Sequence, residues 1–172
     1  TNLRLLNVKK PVIAWIEGAI TGAGISLALS CDFQIISETS KCAFSFVNIG
    51  FVPDSGAACL VTRAVGTTRA KDLFMSGRFF SGKDAADWGL FTEAVPAEEL
   101  EERVMKYVKK YSSGPSVAYA GIKTVINRAQ FAAYADAMQA EIDAQGECEL
   151  TEDFPEAVTA FLEKRRPQFK GK

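Results

Sequence analysis

No histidine occurs among the 172 residues of this chain. Without imidazole there is no Ser/His/Asp or Cys/His nucleophile system, and most zinc or non-haem iron sites lose their usual ligand. Chemistry must then use carboxylates, backbone dipoles, lysine, tyrosine or a thiol. Cysteine is scarce too. Cys31, Cys42, Cys59 and Cys148 sit in apolar stretches with neither a C-x-x-C pair nor metal-ligand spacing, so they read as small reduced core residues in a reducing compartment. Long hydrophobic runs are also missing. The most apolar stretch, 12–30, is interrupted by Glu17 and by glycine and polar positions, so it is neither a membrane span nor a signal peptide. Charge of one sign is absent as well, because 20 basic against 21 acidic residues leave a net charge of −1. That balance gives no reason to expect nucleic-acid or anionic-membrane binding, and small molecules or other subunits are the expected partners of a soluble chain.

What is present is a composition 48% hydrophobic, which excludes disorder, over a length suited to one well-buried domain. Up to about residue 95 the elements read as short and mixed. Pro11 to Ile16 is a buried strand, Gly24 to Ser30 a short helix, and Phe33 to Ile36 the next strand. Two consecutive helices are predicted over 56–65 and 68–75, a serine-capped helix over 81–88, and a closing strand over 90–95. Residues 1–95 thus form an α/β region, and 96–172 a helical one. In the latter, Leu100, Val104, Val108 and Tyr111 recur at helical spacing, as do Phe131, Tyr134, Met138 and Ile142, and then Phe154, Val158 and Phe161. Such a tail can pack on its own core or on a neighbour's.

Two segments carry candidate chemistry. In Gly18 to Leu27, the glycines Gly22 and Gly24 let backbone approach a ligand, and free N–H groups open the helix that follows. A dinucleotide turn is one reading, with Glu38 as a ribose-binding acid, although Leu27 occupies the third fingerprint position. A simple tight strand-to-helix junction is the other. The second segment is Pro53-Asp54-Ser55-Gly56, favourable turn chemistry in which Asp54 or Ser55 can cap the helix beginning near Gly56. Phe44, Phe46 and Phe51 precede it and suggest an apolar cavity, in which a carboxylate becomes a better proton shuttle.

Taken together, these segments resemble the enoyl-CoA hydratase/isomerase (crotonase) superfamily. The matching stretches are Lys10 to Ala14, Gly22-Ala23-Gly24 with Leu27-Ala28 and Cys31-Asp32, Val47 to Gly56, Ser81 to Ala85 with Gly89-Leu90-Phe91, and Phe161 to Phe169. The resemblance implies a ββα spiral core whose opening part precedes this chain, then a C-terminal helical trimerisation region, with trimers paired into hexamers. It implies a coenzyme A thioester as substrate and no separate cofactor. Its carbonyl oxygen would lie between two backbone amides, one from Ala23 at the centre of the glycine turn, the other from chain before residue 1. The cytoplasm is the expected compartment, since Lys170-Gly171-Lys172 is not a peroxisomal signal.

The departures bear on the reaction. Where hydratases of the family resemble one another in carrying two glutamates, this chain has Ser26 and Phe46, so water addition is disfavoured. Asp54 falls where several isomerases carry their single acid. The resemblance therefore implies a Δ3,Δ2-enoyl-CoA isomerase, akin to those of fatty-acid β-oxidation and phenylacetate breakdown, with Asp54 as shuttle and Ala23 in the oxyanion hole. Gly22, Gly24, Ser26, Phe46 and Phe51 then belong to the substrate site, and Lys164 in the basic tail approaches the coenzyme A phosphates. The alternatives are a non-catalytic or truncated crotonase-like subunit, or a hydratase-family enzyme of another reaction type.

Overall fold

The computed structural model describes residues 2–171. In chain order its regular elements are α1 (Asn2–Leu6), β1 (Ile13–Ile16), β2 (Ala19–Thr21), α2 (Ala23–Leu29), β3 (Phe33–Ser37), β4 (Lys41–Ala43), α3 (Ala57–Ser76), β5 (Phe79–Ser81), α4 (Gly82–Asp87) and β6 (Glu93–Val95). Four helices follow: α5 (Leu100–Ser112), α6 (Ser116–Gln130), α7 (Tyr134–Glu149) and α8 (Asp153–Leu162). Two three-stranded sheets result. The first, ordered β1-β3-β6, is parallel throughout and pairs Trp15 with Ile35 and Ile36 with Ala94. The second, ordered β2-β4-β5, pairs β2 with β4 in parallel and β4 with β5 antiparallel.

The apolar run of β3 is explained by burial on both faces, as parallel strands require. Ile36 faces the main core with Ile16, Ile25, Phe44, Val61, Leu73 and Phe80, while Ile35 faces the opposite side with Val95 and with Leu100 and Val104 of α5. Successive side chains on a strand point to opposite faces, and here each face has its own core. The three-residue strands β2, β4 and β5 were invisible to periodicity because one alternation is too short to register.

Gly66, at φ 77° and ψ 162°, interrupts α3, so the two consecutive helices expected over 56–65 and 68–75 are present as two segments of one element. Ser81 caps α4 in a capping box, with the Asp84 N–H donating to its hydroxyl at 3.0 Å and its own N–H donating to Asp84 at 2.9 Å. The closing strand is shorter than expected. The Leu90 and Phe91 N–H groups both donate to the Ala85 carbonyl at 2.8 and 3.2 Å, which ends α4 and leaves only Glu93–Val95 to pair with β3. All four cysteines are free, but only Cys42 is buried. Cys59 is half-buried and packs against the Leu6, Leu60 and Tyr134 cluster, whereas Cys31 and Cys148 are half-buried rather than the buried core residues their sequence surroundings suggested.

The helical tail packs on its own core. On α6, Lys123 pairs with Asp32 at 2.6 Å, and the Asn127 amide donates to the Leu6 carbonyl at 2.7 Å. Tyr134 of α7 is buried with Leu6 and Leu60. At the start of α8, Phe154 stacks on Phe51 with ring centroids 4.4 Å apart. Val117, Val125, Phe161 and Leu162 nevertheless remain largely exposed. Among the described residues no helix is long and apolar enough to cross a membrane.

Candidate active site

Asp54 opens a turn closed by the Ala57 N–H, which donates to the Asp54 carbonyl at 2.9 Å. Ser55 and Gly56 follow it in the left-handed region at φ 58° and 80°, a conformation that costs a non-glycine residue about 1–2 kcal/mol. The turn is also tied down from outside. The Asn2 side-chain amide donates to the Ser55 carbonyl at 2.6 Å, and the Ser26 hydroxyl donates to the Asp54 carbonyl at 3.4 Å. Ser26 is fully buried in the first turns of α2, so its hydroxyl joins the glycine turn to the Asp54 turn.

The cap of α3 is not Asp54 or Ser55, as turn chemistry alone suggested. Its N-cap residue is Gly56, which has no side chain to offer. Glu141 on α7 supplies the acceptors instead, taking the Gly56 N–H at 2.7 Å and the Ala58 N–H at 2.9 Å. Burial raises the Glu141 carboxyl above its ordinary value, the two amides pull against that shift, and the nearby Asp54 charge adds to it. With the cap supplied by another helix, the Asp54 carboxylate is left for other work. Its Oδ2 accepts from Gln145 Nε2 at 3.3 Å, and the same nitrogen donates to the Val52 carbonyl at 3.0 Å. Asp54 Oδ1 is buried without a hydrogen-bond partner among the described residues.

This carboxylate opens into a cleft of about 510 Å³ lined by Asp54, Ser55, Met138, Glu141, Ile142, Gln145, Gly146 and Glu149. One wall is therefore the Asp54 turn and the other is α7. Phe44, Phe46 and Phe51 do not form it, contrary to the cavity expected from their spacing. Phe44 turns into the main core against Phe74 and Phe80, Phe46 joins that core, and Phe51 stacks on Phe154.

Ala23 is the first residue of α2, and its N–H meets no acceptor among the described residues, as the opening amides of a helix do not. Gly22 before it has φ 50° and ψ −122°, and the ring of Phe46 stands 3.4 Å from where a β-carbon on Gly22 would be. A side chain at position 22 is thus opposed by the backbone, with the Phe46 ring at ordinary contact distance. Gly24 lies against Ile20. The structure brings Gly22, Ala23, Gly24, Ser26 and Phe46 together, with Ser26 in contact with the Asp54 turn. Lys164 lies apart, exposed at the far end of α8 from the Phe154 stack, with φ 55°. Its basic neighbours fold back onto the acidic start of α8, Arg165 pairing with Glu156 at 2.6 Å and Lys170 with Glu152 at 3.1 Å.

Glu141 and Gln145 escaped the reading of the sequence. The signal was present, since Tyr134, Met138, Glu141 and Gln145 follow one another at spacings of four, three and four on a single helix face. An acid on the inward stripe of a helix needs partners, and that was the clue.

A family model described as enoyl-CoA hydratase/isomerase matches residues 1–172, and the chain belongs to that family. It is similar to a trans-2-decenoyl-acyl-carrier-protein isomerase of Streptococcus mutans, 34% identical over 98% of this chain and 64% of that protein. It is also similar to a 1,2-epoxyphenylacetyl-CoA isomerase of Escherichia coli, again 34% identical over 98% of this chain and 64% of that protein. The chain thus spans 64% of the length of these two curated relatives. A solved structure of an enoyl-CoA hydratase from Mycobacterium avium subsp. paratuberculosis superposes with a TM-score of 0.94 at 37% identity, covering 98% of this chain and 69% of that one. The fold is the crotonase fold, and relatives of both reaction types share it.

Proposed function

We propose that the protein is an acyl-CoA thioester isomerase that moves a double bond from the 3- to the 2-position through an enolate. The observation that carries this reading is the Asp54 carboxylate at the cleft, whose Oδ1 is buried without a hydrogen-bond partner among the described residues; the exposed Glu149 lies at the same cleft on α7. Glu141 lines the same cleft, but both its oxygens are taken by amides. At the two positions where the hydratases carry glutamates, Ser26 is spent on the Asp54 carbonyl and Phe46 is core.

In this mechanism Asp54 removes a proton from C2, and the C–H electron pair moves into the thioester carbonyl. The oxyanion accepts a hydrogen bond from the Ala23 N–H, a donor of the kind worth about 10²–10³ in rate. Protonated Asp54 then returns the proton to C4, and the double bond lies between C2 and C3. Base and acid are the same group, so one carboxylate suffices. Two relatives are named isomerases, but others of similar identity are named probable enoyl-CoA hydratases, so the choice over hydration rests on the site. Coenzyme A belongs to the substrate, with Lys164 as a candidate contact for its phosphates. A homotrimer or hexamer fits the exposed Val117, Val125, Phe161 and Leu162 of the tail.

The test is conversion of a 3-enoyl-CoA to its 2-enoyl isomer, followed by the absorbance of the conjugated thioester, for the intact protein and Asp54→Asn. Loss of activity in the variant alone supports the assignment. Equal activity removes Asp54 as the shuttle.

A further inference from the structure

We propose that α7 is the positioning element of the proton shuttle: Gln145 holds the Asp54 carboxylate through Oδ2, and Glu141 holds the turn behind it. The inference rests on the isomerase reading and adds what aims the shuttle.

A carboxylate rotates about χ2 with a broad, roughly two-fold preference, so nothing intrinsic distinguishes its two oxygens. Here one nitrogen, Gln145 Nε2, bonds both Asp54 Oδ2 at 3.3 Å and the Val52 carbonyl at 3.0 Å. The carboxylate is thereby referenced to backbone two residues upstream. About one helical turn earlier, Glu141 grips the Gly56 and Ala58 amides at 2.7 and 2.9 Å. Segment 52–58 is therefore held from one rigid helix on both sides of Asp54. This support matters because Ser55 and Gly56 are both left-handed and Gly56 cannot cap α3 itself. Oδ1 is buried without a hydrogen-bond partner among the described residues, so the bond from Gln145 is the one that fixes the carboxylate's orientation. Proton transfer between two carbons needs one oxygen at a fixed position relative to both, and a small displacement is enough to lower the rate severely.

Neither Gln145 nor Glu141 touches the reacting atoms in this scheme. Both act through Asp54, which makes a coupling measurement decisive. The experiment compares the intact wild-type protein with Gln145→Met, Asp54→Asn and the double variant, using a 3-enoyl-CoA as probe. Gln145→Met keeps the length of the side chain and removes its donor. The expected result is a kcat lower by about tenfold to a hundredfold, the scale of a hydrogen bond to a charged group, with KM unchanged within about twofold. The double variant is expected to be no slower than Asp54→Asn, because a residue acting through Asp54 has nothing left to aim. Glu141→Gln gives a second reading, since it keeps the shape and one acceptor, and it too should lower kcat without raising KM.

Wild-type kcat in both Gln145→Met and Glu141→Gln overturns the proposal. So does a double variant slower than Asp54→Asn by the full factor seen for Gln145→Met alone, which marks an independent structural effect. An Asp54→Asn protein as active as wild type overturns instead the isomerase reading beneath the inference.

Discussion

The hydroxyl of Tyr134 on α7 stands against the α-carbon of Gly56 so closely that a β-carbon at position 56 has no room. Gly56 also has φ 80°, where a side chain is strained in any surroundings. Gly56→Ala therefore carries two penalties, steric overlap and backbone strain, and is expected to destabilise by about 2–4 kcal/mol. The Tyr134 hydroxyl is itself buried without a hydrogen-bond partner among the described residues, and burial pushes its pKa up to about 12 against the opposing pull of the nearby Asn2 and Ser30 side chains. Tyr134→Phe removes an unsatisfied polar atom and is expected to be neutral or stabilising by up to about 1 kcal/mol. Urea denaturation of both variants checks the pair, and a strongly destabilised Tyr134→Phe would contradict it.

Ala23→Pro tests the oxyanion donor without dismantling its helix. Proline removes the N–H, yet the first helical position is where proline is best tolerated. Isomerase kcat is expected to fall by about 10²–10³ with far-ultraviolet circular dichroism unchanged. Retained activity would exclude the Ala23 amide as a donor.

The attachment of α6 depends on Lys123, whose ammonium pairs with Asp32 at 2.6 Å and also donates to the Lys10 carbonyl at 3.0 Å. Its side chain is only 10% exposed. Asp32 keeps the Val12 N–H at 2.7 Å when Lys123 is lost, so Lys123→Met is expected to cost about 2–3 kcal/mol rather than the larger loss of a wholly orphaned charge. Arg78→Met, which breaks an exposed pair with Asp72, should cost less than about 1 kcal/mol. Denaturant midpoints of the two variants measure the contrast.

Glu141 predicts a pH dependence of stability. Its folded pKa is raised above the ordinary 4.5, so between that value and its folded pKa the native state binds more protons than the unfolded chain. Its contribution to stability is then fully present below pH 4.5 and is lost as pH rises through the folded pKa. Glu141→Gln is expected to flatten that part of the pH–Tm profile relative to wild type. Superimposable profile shapes would show that Glu141 does not titrate in this window.

Much of the fold was legible because its signals are local. The buried run of β3, the break at Gly66 and the capping box at Ser81 are each specified by a few neighbouring residues. Ala23 is singled out only through the family resemblance of the glycine turn, and Asp54 through its turn together with that resemblance. The aromatic cavity around Asp54 was misplaced, because spacing along the chain does not say which way Phe44 and Phe46 point once β4 pairs with β2 and β5.

The sequence by itself determined that this chain has no imidazole chemistry, that an α/β region precedes a helical one, and that Asp54 sits in a Pro-Asp-Ser-Gly turn. Only the tertiary structure decided that α7 folds back over the Asp54 turn, with Glu141 capping α3 and Gln145 holding the carboxylate. The physical reason is distance along the chain. Gly56 and Glu141 are 85 residues apart, and their bond exists only because the apolar face of α7, anchored by Tyr134, is buried against α1 and α3.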